Sequence, residues 1–196
     1  MTSTNQAKYT DGVKIRNIFL RPFQRRFVNA VAALEPTSLL ELGTGEGYLL
    51  NEIHQRLPQA RLVGLDLIPE FVAEGKRVFP HLDLRTGDIY HINEPDQSWD
   101  VVVASEVLEH LDRPADALRE LTRVAKHAVV LSVPWEPFFR LGNFARGKHW
   151  QRFGNHPEHI NLWTGKKFVA FASEQLIVDH VIPSLPWTIV VGRPRR

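Results

Sequence analysis

The segment Leu40-Glu41-Leu42-Gly43-Thr44-Gly45-Glu46-Gly47 constrains this chain more than any other. Ser38 to Leu42 suit a short buried strand, and from Tyr48 onward Leu49, Leu50, Ile53 and Leu57 recur at helical spacing. The alternate glycines therefore fall on a strand-to-helix turn, which is where α/β folds bind ligands. A side chain there would disfavour positive φ and hold a ligand off the backbone amides.

The spacing also separates two cofactor classes. A dinucleotide fingerprint wants glycine at the first, third and sixth positions, with a pyrophosphate on the helix N-terminus; here the sixth position is Tyr48. Glu41, two residues ahead of the first glycine, would repel a phosphate but could pair with an ammonium group. The loop suits a cationic, phosphate-free nucleoside such as S-adenosyl-L-methionine.

Acids follow at the ends of later strands. Arg61 to Asp66 reads as a second short strand, and Asp66 lies about twenty residues past the loop, where ribose hydroxyls are gripped in this architecture. Leu82 to Thr86 reads as a third strand leading into Gly87-Asp88-Ile89, a carboxylate and an apolar side chain suited to the amine and ring face of adenine. Trp99 to Glu106 reads as a fourth, with Glu106, Glu109 and His110 at its carboxyl end.

Across Ser38 to Val133 this ordered spacing resembles the class I S-adenosylmethionine-dependent methyltransferases of small-molecule type. The resemblance implies a single-domain Rossmann-like α/β fold: a mostly parallel seven-stranded sheet, helices on both faces and a C-terminal antiparallel hairpin. It implies that Glu41 and Gly43 to Gly47, including Thr44 and Gly45, hold the methionine part. Asp66 would hold the ribose, Leu67 one face of the adenine, and Asp88 with Ile89 its edge and other face. Glu106 would lie near the methionine and the acceptor. Relatives often carry Pro-Gly-Gly after the fourth helix, where this chain has Lys126-His127-Ala128.

With 196 residues and 43% hydrophobic content, one domain with a sizeable core is expected. Its expected parts are a helical cap over 1–35, a cofactor-binding core over 38–133, an acceptor lid over 134–163, and a helix and strand pair over 164–196. No apolar run approaches the roughly 18 residues that span a bilayer, and Met1 to Gln6 lacks a signal-peptide core, so the chain reads as cytoplasmic. Zero cysteines exclude disulfides, thiolate zinc and cysteine nucleophiles. A formal charge of +2 is too small to imply nucleic-acid binding by itself. No internal repeat is present, and oligomeric state is not legible.

Val13 to Leu34 alternates basic positions with Ile15, Ile18, Phe19, Phe23, Phe27, Val28 and Val31, a helical pattern that would cover one edge of the sheet. Helices are expected over Glu46 to Arg56, Pro69 to Val78 and Pro114 to Val124, the last two opening on prolines that a first turn tolerates. Ala128 to Val133 is the expected fifth strand. Leu176 to Ile182 and Trp187 to Val191 form the closing pair across Pro183-Ser184-Leu185-Pro186. The regular alternation breaks at Pro134 to Trp163, a length that in a compact domain signals function or disorder. Trp135, Phe138, Phe139, Phe144, Trp150, Phe153 and Trp163 argue against disorder and, with Arg140, Arg146, Lys148 and Arg152, for a bulky apolar acceptor bearing a negative group or for peripheral contact with an anionic membrane.

Methyl transfer from a sulfonium needs alignment of acceptor and methyl more than a protein nucleophile. A hydroxyl acceptor would benefit from a base, and His159 and His110 are the chosen candidates, ahead of His149 and His156. Glu106, Glu109 and His110 also match a Glu-x-x-Glu-His pattern that some relatives use for magnesium or manganese, with His156 or His159 as the distant ligand. The metal-free reading is preferred, because a motif match needs structural confirmation. The expected activity is metal-independent transfer to O or N of a small-molecule or lipidic acceptor. Its rivals are a metal-assisted O-methyltransferase acting on a quinone precursor or RNA terminus, and a nonenzymatic nucleotide-binding protein on the same fold.

Overall fold

The computed structural model describes residues 14–135 and 160–196, with side chains from residue 20 onward. Seven strands form one sheet: β1 (Ser38–Leu42), β2 (Arg61–Asp66), β3 (Asp83–Thr86), β4 (Trp99–Ser105), β5 (Ala125–Pro134), β6 (Leu176–Ser184) and β7 (Trp187–Pro194). Their order is β3-β2-β1-β4-β5-β7-β6. Pairs among β1 to β5 are parallel, and β7 runs antiparallel to both β5 and β6. Strand order reverses between β1 and β4, and a crevice for a ligand opens at such a switch point.

The helices are α1 (Lys14–Ala32), α2 (Tyr48–Arg56), α3 (Pro69–Val78), α4 (Pro114–Val124) and α5 (Gly165–Ala172). Alternation along each strand sends side chains to two separate cores. Leu40, Leu42, Val102, Ala104 and Leu131 meet α4 and α5 through Leu118, Leu121 and Phe168. Leu39, Val101, Val103 and Val130 meet α1 to α3 through Phe27, Val31, Leu50, Ile53 and Val72. Phe23 of α1 stacks on Trp187 of β7 at 4.6 Å, which fixes the expected covering helix over the far side of the sheet.

Several boundaries differ from those read in the sequence. α2 begins at Tyr48 rather than Glu46, because Gly45 and Gly47 hold left-handed φ values of 57° and 82° that a right-handed helix excludes. The Lys126-His127-Ala128 segment makes no turn: α4 ends at Val124 and β5 starts at Ala125, with a register irregularity between Trp99 and Val101 of β4 taking up the change. The hairpin turn shrinks to Leu185-Pro186, since pairing runs to Ser184↔Trp187.

Gly75 shows how tightly the elements meet. A Cβ there would lie 2.5 Å from Leu84 Cδ1 and 2.8 Å from the Glu46 carbonyl oxygen, so α3 touches both β3 and the glycine loop. Alanine inside a helix ordinarily gains up to about 1 kcal/mol over glycine, whereas overpacking of this kind costs about 1–3 kcal/mol. Gly75→Ala is therefore expected to lower the urea midpoint, and a raised midpoint would show that Leu84 and the loop move aside freely.

Candidate active site

The site grows from the ends of β1, β2 and β3. After β1 the chain passes through Gly43, Gly45 and Gly47, all at positive φ. At Gly43 the demand is double: φ is 69°, and a Cβ would lie 2.4 Å from Val107 Cγ2, so the loop after β4 presses directly on the loop after β1. The loop's amides are spent internally. Gly43 N and Thr44 N donate to the Leu65 carbonyl at 2.8 and 3.1 Å, and Gly47 N donates to the Thr44 carbonyl at 2.9 Å. Gly45 N donates to Asp66 Oδ2 at 2.7 Å. A loop whose amides are engaged this way has few left to cradle a pyrophosphate.

Asp66 is buried and uses both oxygens, the second accepting from Ile68 N at 2.9 Å. Its backbone carbonyl accepts from Gly87 N at 2.9 Å, so the ends of three strands are tied at one residue. Leu67, next along, is 66% exposed, an apolar side chain standing free at the mouth of the crevice. After β3, Asp88 Oδ1 caps Tyr90 N at 2.8 Å and Ile89 packs against the core on the α4 side. Asp66, Leu67, Asp88 and Ile89 thus occupy the two adjacent strand ends expected of a nucleoside site.

Glu41 is buried in β1 and opposite Gly64 of β2 in the register. A side chain on Gly64 would meet Thr44 at 2.8 Å, so the glycine makes room for Thr44, whose hydroxyl donates to Glu41 Oε2 at 2.6 Å. Burial pushes the Glu41 carboxyl up to about 8; the Thr44 hydrogen bond acts in the opposite direction, and the nearby Asp66 charge raises it further. Glu41 is therefore mostly protonated at neutral pH in the free protein.

Across the switch point, Glu106 has φ 57°, a left-handed conformation rare outside glycine and one that clusters at functional sites. Its N–H donates to Ser132 of β5 at 3.0 Å. The turn that follows is a 3-10 helix over Leu108–His110. Glu109 is buried and His110 exposed, and the 3-10 turn replaces the α-helical turn that would put Glu106 and His110, four residues apart, on one face. Among the described residues no three His, Asp or Glu side chains converge on a point. His149, His156, His159 and the residues from Phe138 to Phe153 lie outside the described residues. At the two ends of that segment, Trp135 N donates to the Pro186 carbonyl at 2.7 Å, and Trp163 packs on Phe168 and Phe171 of α5 with centroids 5.7 and 4.9 Å apart. Trp163 is therefore a covering residue of the core.

Two further residues were not singled out in the sequence. Asn161 donates through Nδ2 to the carbonyls of Leu108 and Leu111 at 3.1 and 2.6 Å, while Ile160 N and Asn161 N both donate to the Glu109 carbonyl at 2.9 and 3.0 Å. Tyr90 Oη donates to Asp112 at 2.6 Å with Arg113 stacked over its ring, which latches the loop after β3 to the loop after β4. Neither has a local sequence signal, since their partners are remote. Gly64 does: an isolated glycine in an apolar strand marks close approach of another part of the chain. A recess of about 680 Å³ lined by Thr37, Asp100, His127 and Arg193 opens at the opposite, amino end of the strands and shares no residue with this crevice.

Comparison with known proteins agrees with the fold. A family model described as a methyltransferase domain matches residues 40–133. A Mycolicibacterium smegmatis protein named "probable S-adenosylmethionine-dependent methyltransferase" is 36% identical over 48% of this chain and 36% of its own length. Trans-aconitate 2-methyltransferase of Yersinia pestis is 24% identical over 76% of this chain and 68% of its own. The chain thus spans about a third of the first relative and about two thirds of the second. The crystal structure of an S-adenosylmethionine-dependent methyltransferase from Aquifex aeolicus superposes with a TM-score of 0.68 over 98% of both chains at 14% identity. Residues 40–133 thus match a methyltransferase domain, and the chain has the fold of the class I S-adenosylmethionine-dependent methyltransferases; S-adenosylmethionine is named with both the first relative and the Aquifex structure.

The high Glu41 value fixes a pH dependence for the free protein. The unfolded chain ionises Glu41 near the ordinary 4.5 and the folded chain near 8. The stabilisation from the neutral carboxyl is complete below the lower value and is lost as pH rises toward the upper one, at up to about 1.4 kcal/mol per pH unit. Denaturation midpoints of the cofactor-free protein are expected to fall across that window, and Glu41→Gln to flatten the fall. An unchanged slope in Glu41→Gln would assign the dependence elsewhere.

Proposed function

We propose that this protein transfers the methyl group of S-adenosyl-L-methionine to oxygen or nitrogen of a small or lipidic acceptor without a metal. The observation that carries the reading is the glycine loop after β1, whose amides are already engaged, with Glu41 and Asp66 bonded into it and Asp88 at a neighbouring strand end. That donor set fits a phosphate-free cation and opposes a dinucleotide. When bound, the cofactor supplies an activated methyl group on a sulfonium.

In this reading Glu41 gives up its proton to face the methionine ammonium, Asp66 accepts from the ribose hydroxyls, and Leu67 and Ile89 enclose the adenine with Asp88 at its edge. Gly43, Thr44, Gly45 and Gly47 shape the floor, and Glu106 faces the methionine and the acceptor. The chain's work is alignment and exclusion of water, which suffices for an in-line displacement. Where the acceptor is a hydroxyl, His159 is the proposed base and His110 the second choice; Ile160 and Asn161, next after His159, bond to the turn that carries His110. The aromatic, basic segment 134–163 supports an apolar acceptor with a negative group.

Labelled S-adenosylmethionine incubated with separated lipid, small-metabolite, RNA and protein extracts tests this. Label is expected in the lipid or small-metabolite fraction, undiminished by a chelator. Label confined to RNA, or turnover lost to chelator and restored by magnesium or manganese, would replace this reading with metal-assisted O-methylation.

A further inference from the structure

We propose that the carboxyl-end rim of the sheet, beside the methyl-transfer crevice, docks on an anionic lipid bilayer through Arg21, Arg25 and Arg26 of α1 and the hairpin turn at Leu185. The proposal deepens the lipidic form of the acceptor reading and rests on that reading only for its purpose.

The three arginines line one recess of about 440 Å³ together with Pro22 and Asn29. All three are exposed, because the buried side of α1 is taken by Phe23, Gln24, Phe27 and Val28. Compensation for their charge is slight. Arg21 faces Glu52 of α2. Arg26 is held by neutral acceptors, the Pro183 carbonyl at 3.4 Å and Ser184 Oγ at 3.3 Å. Arg25 has no carboxylate partner among the described residues. Three guanidinium groups against one carboxylate make a surface that a polyanion complements.

The anchor of Arg26 also places the patch. Ser184 immediately precedes Leu185, whose side chain is 62% exposed at the tip of the β6–β7 hairpin. That tip lies at the carboxyl end of β5, since Trp187 pairs with Pro134 and Trp135 N donates to the Pro186 carbonyl. Ile160 and Leu162, also exposed, follow the same rim beside the turn after β4. Basic side chains bordering exposed aliphatic ones are the composition of a bilayer-facing surface, the first drawn to phosphate headgroups and the second to the acyl boundary. A nucleic acid would call for aromatic rings on which bases stack; the large apolar side chains exposed among the described residues are all aliphatic. Docked by this rim, the crevice opens toward the lipid.

The test is flotation of the full chain with vesicles of phosphatidylglycerol and phosphatidylcholine mixed, against phosphatidylcholine alone, with no methyl donor present. Binding is expected only to the anionic vesicles and to weaken with salt. Each surface arginine lost reduces partition about fivefold, so Arg21→Gln with Arg25→Gln is expected to bind about 25-fold more weakly, while its denaturation midpoint and S-adenosylhomocysteine binding stay at wild-type values. Leu185→Ser is expected to weaken vesicle binding as well. Equal binding to neutral vesicles, no binding to anionic ones, or a double variant that binds as wild type overturns the proposal. So does single-stranded RNA captured more tightly than vesicles with the same dependence on the two arginines. Because the assay contains no methyl donor, its failure leaves the proposed transfer standing, and failure of transfer leaves the docking result standing.

Discussion

One carboxylate holds the working end of this molecule together. Asp66 accepts from Gly45 at 2.7 Å on one oxygen and from Ile68 at 2.9 Å on the other, and its backbone carbonyl accepts from Gly87. The loops after β1, β2 and β3 are thereby set against one another in a single geometry. Buried hydrogen bonds to a charged acceptor are worth about 1.5–3 kcal/mol each, enough to keep three adjacent strand ends from moving independently. A carboxylate has further lone pairs to offer, so the same group can brace the loop and receive a ligand's hydroxyls.

Around that brace the chain keeps unfavourable features that packing alone would not select. Glu41 is a buried carboxyl within electrostatic reach of Asp66 and is held in its neutral form by burial. Glu106 has a left-handed backbone without being glycine. The two lie at the carboxyl ends of the paired strands β1 and β4. A left-handed non-glycine backbone and a perturbed acid at neighbouring strand ends are features that cluster at functional sites. The opposite end of the sheet shows the contrast: Asp100 there is satisfied by Thr37 and Ser38, and Asp179 by Arg193.

Most of this architecture was legible in the sequence because it is local. The apolar runs, the glycine turn and the prolines opening α3 and α4 each announce themselves within a few residues. The starts of α2 and β5 were misplaced because they depend on left-handed glycines and on strand pairing, which periodicity does not encode. Gly75 and Tyr90 carry no local signal for a related reason, since their partners lie up to about thirty residues away in the chain and meet only in the folded sheet. Placing Glu106 and His110 on one face, with Glu109 beside them, requires an α-helical turn, and the chain makes a 3-10 turn there. His159 and the aromatics from Phe138 to Phe153 remain a reading of the sequence, as they lie outside the described residues.

Calorimetric titration of the cofactor tests the site most directly. S-adenosylmethionine and S-adenosylhomocysteine should bind the wild type and NAD should not, and Asp66→Ala should weaken cofactor binding about tenfold to a hundredfold, as loss of charge-assisted hydrogen bonds implies. Unchanged binding in Asp66→Ala, or tight binding of NAD by the wild type, would contradict the assignment of this crevice.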